Sequence, residues 1–126
     1  MRDYVAIDDV VSANLVALDH PDAPGRAYNV GGPRSWTVLE VLDALADVVD
    51  EPRPPEVGGE YRVGDVRHTI GDTSALRALG WDPSTDLVAT WRSYWAWLKE
   101  TAPVGDVAAD AFTRMRESGI LRTSGA

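Results

Sequence analysis

Apolar positions recur along this chain in short bursts with helical spacing, separated by breaks rich in Gly and Pro. Val11, Leu15 and Leu18 fall at i, i+4 and i+7, which predicts a helix with one apolar stripe facing a core. Asp8 or Asp9 is placed to cap that helix, and Tyr4-Val5-Ala6-Ile7 ahead of it reads as a short strand. The helix stops at His20-Pro21, and Asp22-Ala23-Pro24-Gly25 is a loop. Ala27-Tyr28-Asn29-Val30 reads as a second strand ending in Gly31-Gly32-Pro33. Thr37 and Glu40 have the spacing of a capping box, with Trp36 in place for a hydrophobic staple. The helix they open carries Val38, Val41, Leu42, Leu45, Val48 and Val49, the clearest helical period in the chain.

Glu51 to Glu60 is rich in Pro and Gly and reads as a connector, and Val66 to Ile70 as a strand. Asp72 or Thr73 caps a short helix with Leu76 and Leu79 on its face, and Gly80 closes it. Trp81-Asp82-Pro83 turns the chain into a helix from Leu87 to Lys99, with Trp91, Tyr94, Trp95 and Leu98 along one side. Trp81, Trp91 and Trp95 are read as core, and Trp97 lies off that stripe. A last amphipathic helix carries Ala108, Ala111, Phe112 and Met115 and ends at Gly119. Residues 1–122 form one portion, and a tail from Thr123 is expected to fray. Strands alternating with helices imply an α/β design. Here the strands are few and short and the helices numerous, so the expectation is an α-rich body with an incomplete sheet.

Composition narrows the function classes. A chain of 126 residues, 44% apolar, can bury a real core, so disorder is not the expectation. It has no cysteine, which fits a cytoplasmic setting, and two histidines with no carboxylates spaced to complete a metal site. No apolar run approaches a membrane span, and the start carries no basic, apolar leader pattern. With 20 acidic and 12 scattered basic residues, the net charge of −8 argues against nucleic acid as a partner. A few arginines in an acidic protein suit a small anionic ligand better.

The candidate chemistry lies in Tyr61-Arg62-Val63-Gly64-Asp65-Val66-Arg67-His68, taken together with Met1-Arg2-Asp3-Tyr4-Val5. Arginine offers a fixed fork of donors for phosphate oxygens, and glycine lets the backbone approach a ligand closely. Three arginines with Asp65 beside Gly64 suit a pyrophosphate with a ribose attached. The alternatives are plain. Arg2 and Arg62 are also read as solvated surface arginines, and Asp65 as the cap of its own turn. Arg67 is either a phosphate ligand or an ion-pair partner of Asp72, with the ion pair favoured. His68 is read as a strand residue, Asp8 and Asp9 as a cap and a first-turn charge, and Gly31-Gly32 as a tight turn. There is no Gly-x-Gly-x-x-Gly turn for a dinucleotide.

Four motifs in order carry a resemblance: Arg2-Asp3-Tyr4-Val5-Ala6-Ile7-Asp8-Asp9, Tyr28-Asn29-Val30-Gly31-Gly32, Arg62-Val63-Gly64-Asp65-Val66-Arg67, and Asp72 with Leu79-Gly80-Trp81-Asp82-Pro83. From Arg2 to about Leu98 the chain resembles the C-terminal, substrate-binding region of the NAD-dependent epimerase/dehydratase family, the extended short-chain dehydrogenases. Residues 59–68 and 111–120 are similar to 4-epimerases of dTDP-deoxysugars of the rhamnose type. The resemblance implies a lobe that holds a nucleoside diphosphate sugar, with Arg2 and Arg62 on the phosphates, Asp65 on the ribose and Arg67 nearby. It places NAD(P) and the catalytic Tyr-x-x-x-Lys pair in an N-terminal lobe. No Tyr-x-x-x-Lys occurs here, and Lys99 is the sole lysine, so this chain alone is expected to be inactive and to hold no cofactor. Met1 matches a methionine that family members can carry before Arg-Asp-Tyr, which implies a piece of a longer protein. The implied partners are the nucleotide sugar and either a separate N-terminal lobe or a second copy. The alternative is a non-catalytic module that binds nucleotide sugars or a protein partner.

Overall fold

A computed structural model describes residues 1–101 and 107–123 and shows five helices and one two-stranded sheet among them. The elements are α1 (Ile7–Asp19), α2 (Val38–Ala46), β1 (Glu60–Arg62), α3 (Ser74–Arg77), α4 (Leu87–Glu100), α5 (Val107–Glu117) and β2 (Leu121–Thr123).

The start of α2 is the best specified locally. Thr37 Oγ1 accepts from the Glu40 amide at 3.2 Å while Glu40 Oε2 accepts from the Thr37 amide at 2.7 Å, the reciprocal box read from the sequence. The Thr37 amide, then the Thr37 hydroxyl and Arg34, hold the Glu40 carboxyl down at about 2. Val41 is buried and Leu42 and Leu45 half-buried, where α2 packs against α4, while Val38 stays exposed at the helix start. Asp86 caps α4 by accepting from the Ala89 amide at 2.8 Å. Trp91, Trp95 and Leu98 are half-buried, but Tyr94 faces outward and stacks on Trp97 with ring centroids 5.6 Å apart.

The core lies between α1 and α3. Ala13, Leu76 and Trp81 are buried together, with Val16, Tyr28, Val30 and Leu79 against them. Asp72 Oδ1 accepts from the Ser74 amide at 3.0 Å at the head of α3, while Thr73, the cap position, makes no side-chain cap bond. Gly80 closes the segment at φ +90°, a left-handed conformation that suits glycine.

The sequence reading of α1 needs correcting twice. Ile7 is already helical and Ala6 is the cap, so neither Asp8 nor Asp9 caps; both sit in the first turn. The stripe Val11, Leu15 and Leu18 is also exposed, and the buried face carries Asp9 and Ala13. Periodicity shows that a helix has an apolar face, but neighbours decide which face is covered. Trp81 and the segment after it occupy the Ala13 side.

None of the three strands read from the sequence forms. Tyr4–Ile7, Ala27–Val30 and Val66–Ile70 contain no ladder, because each lacks a continuous partner among the described residues. Tyr28 and Val30 still point inward with Asn29 outward, so the alternation survives without pairing. The sheet that does form is antiparallel and joins Glu60–Arg62 to Leu121–Thr123, at the end of the stretch read as a connector. Gly119 at φ +71° reverses the chain after α5, with the Ile120 amide donating to Met115 O at 3.0 Å and Gly119 to Arg116 O at 3.0 Å. Arg116 then grips the Glu60 carboxylate with two bonds of 2.9 and 2.8 Å. Thr123, the start of the tail read as frayed, pairs with Glu60; positions 124–126 and the side chain of Ala108 lie outside the described residues.

Candidate functional site

Arg2 is the meeting point of three extended segments. Its backbone bridges Trp36 on one side, with bonds of 2.9 and 2.7 Å, and Thr69 on the other, where the Thr69 amide donates to Met1 O at 3.1 Å. Isolated bridges take the place of a sheet here, and they are enough to fix the direction of the Arg2 side chain. Its guanidinium lies on the 65–67 loop. Nη2 donates to Asp65 Oδ1 at 3.2 Å and to Val66 O at 2.7 Å, and Nη1 donates to Arg67 O at 3.2 Å and to Met1 O at 3.0 Å.

The loop is held from its other end by a turn. The Asp65 amide donates to Arg62 O at 3.1 Å, and Gly64 at φ +84° stands in the third position, where a left-handed residue is required. Arg62 and Asp65 are thus the two ends of one four-residue turn. Asp3 adds a further tie, accepting from the Gly71 amide at 2.7 Å.

Four sequence-predicted residues meet different fates here. Arg2 and Asp65 are brought into contact as an ion pair, with side chains 31% and 56% exposed. Asp65 uses only Oδ1, leaving Oδ2 open to a hydroxyl donor. Arg62 and Arg67 are exposed, and among the described residues neither guanidinium has a hydrogen-bond or ion-pair partner. The ion pair favoured for Arg67 with Asp72 is not made, since the Asp72 carboxylate serves the Ser74 amide instead. That bond holds the Asp72 carboxyl below its ordinary value. His68 is not a strand residue; its Nδ1 lies 3.0 Å from the Met1 amino group.

Gly31-Gly32 does not form the tight turn read from the sequence: the chain makes no turn at these two residues, and neither has a positive φ. A Cβ on Gly32 would stand 1.9 Å from Tyr4 O, and one on Gly31 would stand 2.5 Å from Asp3 Oδ2. Both glycines therefore pack closely against residues 3 and 4, and the space a phosphate would need is filled by the Asp3 side chain and the Tyr4 carbonyl.

A second feature was invisible in the sequence. Asp9 is buried, and its Oδ1 accepts from the Ser84 amide at 3.0 Å and the Ser84 hydroxyl at 3.2 Å, while Oδ2 accepts from Thr85 Oγ1. Thr85 Oγ1 in turn accepts from the Ala6 amide at 2.8 Å. Burial pushes the Asp9 carboxyl up, but the Thr85 and Ser84 bonds outweigh it and leave the group below its ordinary value. Asp9 is separated from these partners by 75 and 76 residues, so no local spacing could have revealed them. Asp9, Ser84 and Thr85 line a cleft of about 910 Å³ together with Tyr4, Ile7, Tyr94 and Trp97. Among the described residues no cluster of His, Cys, Asp or Glu is placed to hold a metal ion, and no helix is long and apolar enough to cross a membrane.

The NAD dependent epimerase/dehydratase family matches residues 1–31, the part that contains Arg2 and the close-packed glycine at position 31. Over 101 residues the chain is 36% identical to UDP-glucose 4-epimerase of Rhizobium meliloti (strain 1021), covering 77% of this chain and 30% of that protein. It is 34% identical over 87 residues to dTDP-L-rhamnose 4-epimerase of Burkholderia thailandensis, covering 68% of this chain and 24% of that protein. It is 38% identical over 87 residues to UDP-glucose 4-epimerase of Mycolicibacterium smegmatis, covering 68% of this chain and 27% of that protein. The chain therefore spans less than a third of the length of these relatives, which are nucleotide-sugar epimerases. No solved structure gives a significant match.

The matched family is NAD dependent, and the described residues of this chain do not fit NAD. Dinucleotides sit where a parallel strand turns into a helix N-terminus over glycines. The sheet among the described residues is antiparallel, and the glycine pair is closed by Tyr4 O and Asp3.

Proposed function

We propose that this chain forms the nucleotide-sugar-binding portion of an NAD-dependent sugar-nucleotide epimerase, with Arg2, Arg62, Asp65 and Arg67 around the nucleoside diphosphate. One observation carries the proposal: backbone bridges lay Arg2 into the very loop that bears Asp65, while Arg62 and Arg67 flank that loop with unengaged guanidinium groups. Two free forks suit the oxygens of a pyrophosphate. Asp65 Oδ2 suits a ribose hydroxyl, and Arg2 positions Asp65 and the loop while adding positive charge.

Within this reading the ligand is a dTDP-deoxysugar, supported by the likeness of residues 59–68 and 111–120 to epimerases of that class. The sugar and the cofactor would take their remaining walls from sequence outside this chain. Catalysis would need the same sequence, since this chain has no Tyr-x-x-x-Lys pair.

Calorimetric titration with dTDP, UDP and their hexose conjugates tests the proposal. Saturable binding should weaken about tenfold or more in Arg62→Ala, since a charge-assisted bond is worth about 1.5–3 kcal/mol. The melting temperature of that variant should not move, because the Arg62 guanidinium has no hydrogen-bond or ion-pair partner to lose among the described residues and the substitution leaves its backbone bonds in place. A folded wild-type chain that binds neither nucleotide would remove the proposal. Equal affinity for UDP and dTDP would remove only the dTDP assignment.

A further inference from the structure

Ile7, Val11, Leu15 and Leu18 stand at i, i+4, i+8 and i+11 on α1 and are 73%, 50%, 55% and 79% exposed. At 3.6 residues per turn they fall within one narrow arc and run about 16 Å along the helix. Single exposed apolar residues are ordinary on a protein surface, but four in register form a patch of the kind that another surface covers. Ile7 also lines the cleft with Tyr94 and Trp97, so the stripe continues into an exposed aromatic surface.

Charge decides among the possible occupants. One flank of the stripe carries Asp8 and Asp19, both exposed, and α1 has no lysine or arginine. A second copy docked antiparallel would bring this flank against itself, setting Asp8 opposite the copy's Asp19 in a chain of net charge −8. An anionic lipid surface would call for basic residues beside the apolar face, and none is there. What fits is a helix with apolar knobs and basic residues along its rim.

We infer that the α1 stripe seats a basic-rimmed amphipathic helix from the part of an epimerase fold outside this chain, an inference that rests on the proposed function. The relatives supply ample sequence for it, since this chain spans only 24–30% of the three compared above. The docked helix covers Ile7, Val11, Leu15 and Leu18 and places its cations against Asp8 and Asp19. A helix seated there also borders the cleft at Ile7.

The test uses the intact chain, with methyl and amide resonances followed by NMR. The probe is a synthetic helical peptide of about 15 residues, long enough to hold helical structure, with leucines on one face and lysines along the rim. Its control carries glutamates in place of the lysines. Saturable shifts are expected at Ile7, Val11, Leu15 and Leu18, about tenfold tighter with the lysine rim, weakened by salt and lost in Leu15→Asp. Leu15 is exposed, so unchanged resonances of Ala13 and Trp81 confirm that the variant stays folded. Equal affinity for both peptides, shifts confined elsewhere, or stripe shifts that follow protein concentration without peptide would each overturn the inference. Adding dTDP to the same sample reports separately on Arg2 and residues 62–67. Nucleotide shifts without peptide shifts would end the docking inference alone, and the converse would end the nucleotide assignment.

Discussion

Replacing Asp9 with alanine should be among the most damaging single changes in α1, although a sequence reading treats it as an ordinary first-turn charge. The carboxylate accepts three hydrogen bonds from Ser84 and Thr85 in a site where Asp9 is 5% exposed. Alanine leaves the Ser84 amide and the Thr85 hydroxyl without their acceptor. A buried donor so stranded costs about 1–3 kcal/mol; Thr85 is buried while Ser84 is exposed and reached by water, so a loss of about 2–3 kcal/mol is expected. For a chain of this size that corresponds to a fall in Tm of about 10 °C. Asparagine should cost less, about 1–2 kcal/mol, because it keeps one acceptor oxygen for Ser84. The pH dependence supplies an independent check. The folded carboxyl titrates below its unfolded value of about 3.9, so the unfolded state binds more protons and stability rises with pH through that window. The contribution of Asp9 is complete above about pH 5 and is lost as the pH falls through the folded-state value. Urea unfolding of wild type and Asp9→Ala at pH 7 and pH 3 measures both effects. A difference below about 0.5 kcal/mol at pH 7, or one that does not shrink at pH 3, would refute the buried-latch account.

Thr37→Ala should lower stability by about 1 kcal/mol by opening the capping box, read as a drop in thermal midpoint. The Glu40 carboxyl should titrate at about 2 in the folded chain, so its support of α2 is complete above its unfolded value and is lost as the pH falls from there through about 2. A folded-state titration followed by carboxyl carbon shifts that gave an ordinary value for Glu40 would contradict the box. Gly32→Ala should cost about 3 kcal/mol or prevent folding, because its Cβ meets backbone, Tyr4 O, which cannot rotate away; a stable Gly32→Ala protein with an unshifted Tyr4 amide would show the approach to be looser. Arg2→Ala should weaken both nucleotide binding and stability, whereas Arg62→Ala should weaken binding alone, since the Arg2 guanidinium holds the loop and the Arg62 guanidinium has no hydrogen-bond or ion-pair partner among the described residues.

The sequence by itself determined what depends on neighbours a few residues away. Thr37 and Glu40 form their box because both partners lie within one helical turn, and the short helix holding Leu76 ends at Gly80 for an equally local reason. The existence of α1, α2, α4 and α5 also followed from spacing, since a helix satisfies its own backbone. The grouping of Arg2 with Asp65 was expected through a resemblance, and no local rule would have joined them. Tertiary structure decided everything that needs a distant partner. Whether Tyr4–Ile7, Ala27–Val30 and Val66–Ile70 become strands depends on a neighbour to share hydrogen bonds, and the described residues offer only the bridges at Arg2. Which face of α1 is buried depends on where Trp81 and Ser84 come to rest, which sent Asp9 inward and left Leu15 outside. Hydrophobic period is a property of one segment, while burial is a property of the pair that meets.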